Sequence, residues 1–181
     1  MGIISKQRLT AITESKHGIR AFSQIVNESK TESKTSTTVT IFLSHSHDDK
    51  EEVQKVVVFL KKIGVNVYID WLDSSMPLTT NAETANKIKT RIKNCEKFIF
   101  LATNNAINSK WCNWELGFGD AHKYIEKIAL FPVSENSGTW NGSEYLRIYP
   151  RIEESNLQLE HYKIIYPDGK ELSVTEWLKQ K

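Results

Sequence analysis

Only two cysteines, Cys95 and Cys112, occur among 181 residues. That is too few for a disulfide framework or a thiolate zinc site, and it suits a reducing compartment. No apolar run reaches the roughly 20 residues that a membrane span needs. The N-terminus also lacks a charged segment followed by a long hydrophobic one, so a cytoplasmic location is expected and no membrane partner. The opening MGIISK misses a myristoylation signal, because Ser5 stands one place early and Lys6 occupies the position where Ser or Thr is wanted. Charge of one sign is missing too. The formal net charge is +2, and residues 1–38 hold six Lys/Arg against three Glu, which leaves 18 basic against 19 acidic residues in the remainder. A near-neutral domain offers no broad cationic face for a phosphate backbone, so nucleic acid is not an expected partner.

Several catalytic signatures are absent as well: no Walker loop, no G-x-G-x-x-G and no G-x-S-x-G occurs. His45 and His47 alternate in a loop, but a metal would need two further ligands that no Cys or His cluster supplies, so no metal is expected. Cys112 and His122 lie almost three turns apart on any helix, too far for a nucleophile and its base.

What is present is 39% hydrophobic and 25% charged residues, enough for one compact α/β core plus an appendage. Residues 5 to about 28 carry Leu9, Ile12, Ile19, Phe22 and Val26 at helical spacing, with Gly18 weakening the run. This helix packs on its own domain or serves as a dimerisation arm. SKTESKTSTT, residues 29–38, reads as a linker. The expected division is a helical extension with linker over 1–38 and a domain over 39–181.

The domain opens with VTIFL, a nearly all-apolar strand of the kind that sits in a parallel sheet covered on both faces. Asp48 or Asp49 is placed to cap the following helix, whose apolar residues Val53, Val56, Val57, Leu60 and Ile63 share a side, and Gly64 to end it. VNVYI is the second strand, DWLDSSMPLTTNAE a long loop, Thr84 to Asn94 a helix and KFIFLA the third strand. A helix from Lys110 to about Tyr124 and a strand, KIALFPV, complete a β-α-β-α-β-α-β alternation, which favours right-handed crossovers onto a parallel sheet. Beyond it, YLRIYPRI reads as an edge strand, HYKIIYPDGKEL as a hairpin around Asp168-Gly169, and the segment after Ser173 or Thr175 as a short helix.

In open parallel sheets, ligands bind beyond the carboxyl ends of the strands. There the sequence places Ser44, His45 and His47 after the first strand, Asp70, Trp71 and Asp73 after the second, and Thr103, Asn104 and Asn105 after the third. The helix from Lys110 begins on that side and carries Trp111 and Glu115 four residues apart, hence on one face. Trp114 is turned about one hundred degrees from Glu115 and is expected to point at the core. GFGD, residues 117–120, reads as close packing of the helix on a neighbour.

FLSHSHDD, VNVYIDWLD with its loop, KFIFLAT and WCNWE, in that order and spacing, resemble the TIR (Toll/interleukin-1 receptor) domain over residues 39 to about 133. The resemblance implies a flavodoxin-like fold, a five-stranded parallel sheet flanked by helices. Here that fold would carry an N-terminal helical extension and a C-terminal strand or hairpin plus helix. TIR domains divide into scaffolds that self-associate and enzymes that cleave NAD with the Glu of W-x-x-x-E. By resemblance Glu115 is the catalytic residue, and Ser44, Asp70 and Trp111 lie near the nucleotide. His45 and His47 stand where several enzymatic members carry aromatic or arginine side chains. Trp71 and Asp73 belong to the loop that reaches a neighbouring subunit when such domains assemble into oligomers or filaments.

NAD is then a substrate, with no cofactor. Its nicotinamide departs from a pyridinium and needs no proton, so a single carboxylate suffices where an ordinary glycosidase uses two. Glu115 would shelter the oxocarbenium-like ribose, Trp111 would stack on a ring, and Asp70 would orient the ribose. Hydrolysis, cyclisation and transfer share this first step. Stand-alone bacterial TIR proteins of this size resemble the signal-producing components of antiphage systems such as Thoeris, which implies a separate effector that senses the product. A non-catalytic scaffold and a nucleoside deoxyribosyltransferase-like enzyme are the rival readings.

Overall fold

The computed structural model describes residues 2–13, 39–73, 75, 81–135, 140, 142–155 and 162–180. The chain enters through β1 (Ile4–Ser5) and α1 (Lys6–Thr13), then runs β2 (Thr40–Ser44), α2 (Lys50–Lys62), β3 (Asn66–Tyr68), α3 (Ala82–Asn94) and β4 (Lys97–Ala102). A short helix α4 (Asn104–Asn108) precedes α5 (Lys110–Lys123) and β5 (Ile128–Ser134). The chain closes with β6 (Arg151–Glu154), β7 (Tyr162–Ile165), β8 (Glu171–Ser173) and α6 (Val174–Lys179). Five strands in the order β3-β2-β4-β5-β6 pair in parallel, as the resemblance implies. β7 and β8 extend them in antiparallel fashion, and β1 pairs in parallel with β5, which brings the sheet to eight strands. No helix among the described residues is long and apolar enough to cross a membrane.

Strand alternation divides the apolar residues between two cores. Ile41, Leu43, Ile99, Leu101, Ala129 and Phe131 face α1, α2 and α6, whereas Phe42, Phe98, Phe100, Ile128 and Leu130 face α3 and α5. The aromatic residues of β2 and β4 thus all lie under the helix that carries Glu115. Phe42 and Phe98 stack at 5.5 Å between ring centres.

Four expectations are corrected. Residues 2–13 are built into the domain: Ile4 pairs with Val133, Gly2 bridges Glu154, and Leu9 is buried against the α2 core. The helix starts at Lys6 rather than at residue 5. Its continuation, and the linker, lie outside the described residues. Asp49 stands at the N-cap position of α2 but its side chain makes no cap bond; Ser46 caps a 3₁₀ turn over His47–Asp49, and the Asp49 carboxylate bonds elsewhere. YLRIYPRI is a 3₁₀ turn (Glu144–Ile148) followed by β6, and β6 is an inner strand because β7 covers its outer side. Trp114 is half-buried beside Trp111, since residues three apart on a helix sit only about 60° from each other.

Gly64 ends α2 with φ +82, and the β7–β8 turn has Gly169 at φ +87. Ser173 caps α6 through a reciprocal pair with Glu176. Within GFGD, Gly119 lets α5 approach the sheet: a Cβ there would sit 3.0 Å from Cδ2 of Phe98, which is fully buried and cannot yield. At Gly117 a Cβ would meet nothing within 4 Å. Both positions gain helix propensity of up to about 1 kcal/mol on substitution by Ala, but only position 119 incurs overpacking of about 1–3 kcal/mol. Gly117→Ala is expected to stabilise the protein and Gly119→Ala to destabilise it, measured as opposite shifts of the denaturant midpoint.

Candidate active site

Glu115 sits in the second turn of α5, on the inward face defined by Cys112, Leu116 and Gly119, and only 3% of its surface is exposed. Ser109 caps the helix by accepting a bond from the Cys112 N–H, which fixes the turn on which Trp111 lies. At the carboxyl end of β2, Ser44 donates from Oγ to Glu115 Oε2 at 2.6 Å. Asp70, immediately after β3, is near enough for its charge to act on the same carboxyl, and so is the Trp111 side chain.

Burial dominates the electrostatics. Withdrawal from water is the main force on the Glu115 carboxyl; with the Ser44 hydrogen bond pulling it down, the Asp70 charge pushing it up and Trp111 pulling it down, the balance leaves it at about 8. The site therefore holds a mostly neutral acid near pH 7. A cation placed beside it would reverse the balance and draw out the proton.

Asp70 is itself flanked by imidazoles. His45 Nε2 lies 3.3 Å from one of its oxygens and exposed His47 Nε2 lies 3.9 Å from the other. His45 is buried, and its Nδ1 donates to the Leu43 carbonyl at 2.8 Å in the tautomer that this contact requires. Its Nε2 has no hydrogen-bond partner despite that approach, so the contact is one of proximity rather than of aligned bonding. Burial holds the imidazole below its usual range against the opposing pull of Asp70. Trp71 meets His45 edge-on at 4.6 Å and donates its backbone N–H to Asp70 Oδ1 at 2.8 Å. Ser44, His45, Asp70, Trp71 and Trp111 thus converge around Glu115 and its neighbour Asp70.

Asp73 does not join them. Its carboxylate accepts from Tyr68 Oη at 2.9 Å, Arg91 Nε at 3.0 Å and Ser75 Oγ at 2.6 Å, and so ties the start of the loop to α3. Burial alone would raise this carboxyl, but Ser75, Tyr68 and Arg91 together hold it at about 2. Its contribution is to the position of the loop.

Sequence reasoning missed Asp49. The buried carboxylate accepts from Thr103 Oγ1 and from Asn105 Nδ2, the latter at 2.7 Å, and staples the exit of β2 to the exit of β4. A bare Asp-Asp doublet carries no sign of this partner more than fifty residues away. The setting of Trp111 was also missed: Trp111, Trp114, Phe118 and His122 form a stack along α5 with successive centroid distances of 4.9, 6.1 and 4.1 Å. Both cysteines are buried and their thiols pushed up to about 12, chiefly by desolvation, which makes them poor nucleophiles.

The raised acid has a cost in stability. Between an unfolded value of 4.5 and a folded value of about 8, the unfolded chain ionises Glu115 while the folded one keeps it protonated. The stability present below pH 4.5 is therefore lost as pH rises through 8, on the order of 3–5 kcal/mol in all. Glu115→Gln keeps the shape without the charge. It should match the parent in stability near pH 4.5 and exceed it increasingly toward pH 8, read from urea melts across that range.

The chain matches the TIR domain family over residues 41–156, an interval that contains Ser44, Asp70, Trp111 and Glu115. Among curated proteins it is 32% identical, over 65% of its own length and 62% of the relative's, to "Probable 3' cyclic ADP-D-ribose synthase ThsB'" of Bacillus cereus. It is 28% identical, over 43% of its length, to "Putative cyclic ADP-D-ribose synthase TIR2" of Cytobacillus dafuensis, of which it spans only 21%. The likeness therefore leaves more than a third of each relative unmatched. The family match covers well over half of this chain and all of its central parallel strands, and the protein belongs to the TIR domain family.

Proposed function

We propose that this protein cleaves the bond between nicotinamide and ribose in NAD and forms a cyclic ADP-ribose product. The observation that carries the reading is the buried Glu115 carboxyl, bonded to Ser44 and bordered by Asp70 and Trp111 at the carboxyl end of the sheet. The names of the two relatives, both cyclic ADP-ribose synthases, support the product class.

The pyridinium of NAD is the cation that this acid awaits. When the ring enters, its positive charge favours the carboxylate, and the proton is lost to solvent. Breakage of the C1′–N bond returns the electron pair to the ring, so nicotinamide leaves neutral. Positive charge then develops on the ribose, next to an anion in a water-poor site where it stabilises most. An acceptor within ADP-ribose, a hydroxyl or a ring nitrogen, closes the new bond at C1′. A hydroxyl acceptor gives up its proton as it does so, and a carboxylate of such high proton affinity can take it. Ser44 holds the carboxyl in place, and the Trp111 face gives a planar surface for the base.

The loop that begins at Asp70 is pinned through Asp73 to Arg91, and this arrangement suits a surface that a second copy completes. We assign the active state to a homo-oligomer or filament of TIR domains. The product would act on a separate effector, in an antiphage role of the Thoeris kind, and the compartment is the cytoplasm.

Two measurements test the reaction. Purified protein incubated with NAD, dilute and then with a crowding agent, should release nicotinamide and yield a product with the mass of NAD less nicotinamide, and Glu115→Gln should abolish both. Release with only hydrated ADP-ribose would restrict the activity to hydrolysis; no release in any assembled state would leave a scaffold, and turnover of nucleosides with NAD untouched would point to the deoxyribosyltransferase class. The pH profile is the second measurement. Because kcat/KM reports the free enzyme, it should rise roughly tenfold per pH unit until about pH 8 and level off above. In Ser44→Ala the midpoint should move to higher pH, since the lost hydrogen bond favours the ionised form. A profile that stays flat below pH 8 contradicts a neutral resting acid.

A further inference from the structure

A polar cavity of about 440 Å³ opens at the opposite end of the sheet from Glu115. Lys93, Lys123 and Lys127 line it, with His122, Tyr124 and a single acid, Glu96. Glu115 and Lys123 are eight residues apart on α5, so the two sites are separated by about 12 Å along that helix alone.

Lys97 opens β4 at this end. Its parity places it on the face of Ile99 and Leu101, where the Trp177 ring covers the ammonium at 4.9 Å. The residue is only 2% exposed, and its Nζ has no hydrogen-bond partner. Burial is the main force that lowers it to about 8, and the charges of Lys127 and Lys123 lower it further. Lys123 is also buried, donates to the Cys95 carbonyl, and is lowered chiefly by desolvation. Among the described residues none of Lys93, Lys97, Lys123 and Lys127 makes an ion pair within 4 Å with a carboxylate. Lysines at the ends of α3 and α5 complement the helix dipoles there, which accounts for Lys93 and Lys123. It does not account for Lys97 and Lys127, which stand at strand starts and repel one another.

Tyr124 adds an independent sign. It has φ +60 and ψ +157, a backbone region that is essentially reserved for glycine and costs a tyrosine about 1–3 kcal/mol. Its side chain is 75% exposed, so no packing within the domain offsets that strain. The conformation instead holds an aromatic ring in solvent at the rim of a cationic cavity.

We propose that this cavity binds a nucleoside phosphate, the phosphates seated among Lys93, Lys123 and Lys127 and the base stacked on Tyr124. A bound phosphate chain supplies the counter-charge that this end of the domain lacks, and the size is within the ordinary range for such ligands. The site is separate from the reaction at Glu115, and its occupation does not depend on that chemistry.

Calorimetric titration of the full-length protein in low salt, with ADP, pyrophosphate and adenosine as probes, tests the proposal. ADP should bind more tightly than pyrophosphate, and adenosine far more weakly than either. The Glu115→Gln protein should bind ADP as the parent does, which separates this cavity from the catalytic end. Exposed Lys93 and half-buried Lys127 can both be changed to Gln without opening a core, and that double variant should weaken ADP roughly tenfold or more. Tyr124→Gly should raise the melting temperature by relieving the backbone, yet bring ADP down to the affinity of pyrophosphate. A merely structural Tyr124 would leave ADP unaffected. The proposal is overturned if ADP does not bind, if pyrophosphate binds equally well to the parent, or if the double lysine variant binds ADP undiminished.

Discussion

The 2.6 Å bond between Ser44 and Glu115 is the contact around which this domain is arranged. It joins the end of a central strand to the second turn of a helix, and it can form only if the helix lies close to the sheet. Gly119, one turn further along, permits that approach by leaving Phe98 no Cβ to meet. Closeness in turn removes the carboxyl from water, and removal from water makes it a neutral acid at rest. A small residue, a short hydrogen bond and a shifted proton equilibrium are thus one constraint seen at three positions.

Under the proposed reaction, this geometry suits an electron-poor ring as the partner. A neutral site gains nothing from a neutral sugar, and a water-poor one repels an unaccompanied anion. Only a ligand that carries its positive charge to the carboxyl stabilises the ionised form. When the bond breaks, the charge moves from the ring to the ribose, so the interaction follows the reaction coordinate rather than the ground state. On that reading, Trp71 contributes by holding Asp70 through its backbone N–H, and the negative charge of Asp70 favours the protonated Glu115.

Residues within one element of each other were the legible part. The nearly all-apolar runs VTIFL and KFIFLA marked two strands, the four-residue step assigned Trp111 and Glu115 to one side, and Asp168-Gly169 marked its turn. What escaped were partners brought together from distant segments. Asp49 looked like a helix cap because a local role was the one its neighbours suggested; its bonds to Thr103 and Asn105 exist only once β2 and β4 lie side by side. Ile4 and Ser5 gave no strand signal, being two residues long and specified by β5 rather than by themselves. YLRIYPRI read as an edge because nothing in it reports the strand that later covers it. Lys97 is the extreme case. A lysine in KFIFLA looks like a solvated start to a strand, and its burial is decided by Trp177, eighty residues on.

That last contact shows what the C-terminal elements accomplish. A parallel sheet that ended at β6 would expose unpaired backbone along that strand, an invitation to pair with another chain. β7 takes up those groups, β8 adds a narrow antiparallel margin, and α6 folds back to bury Trp177 in the same core as α1 and α2. The N-terminal strand acts on the neighbouring gap, pairing with β5 and bridging Glu154 of β6. Both additions close the sheet on the side away from β3, and both leave the carboxyl ends of β2 and β3 open. The end that carries Glu115 is thereby left uncovered while the far edge is sealed. The seal has a second effect: Trp177 reaches the amino ends of the strands and covers Lys97, so the element that protects the edge also confines a charge at the base of the domain. Held there without an ion pair to a carboxylate, Lys97 adds to the cationic character of the lower cavity, the feature on which the proposed anion site rests.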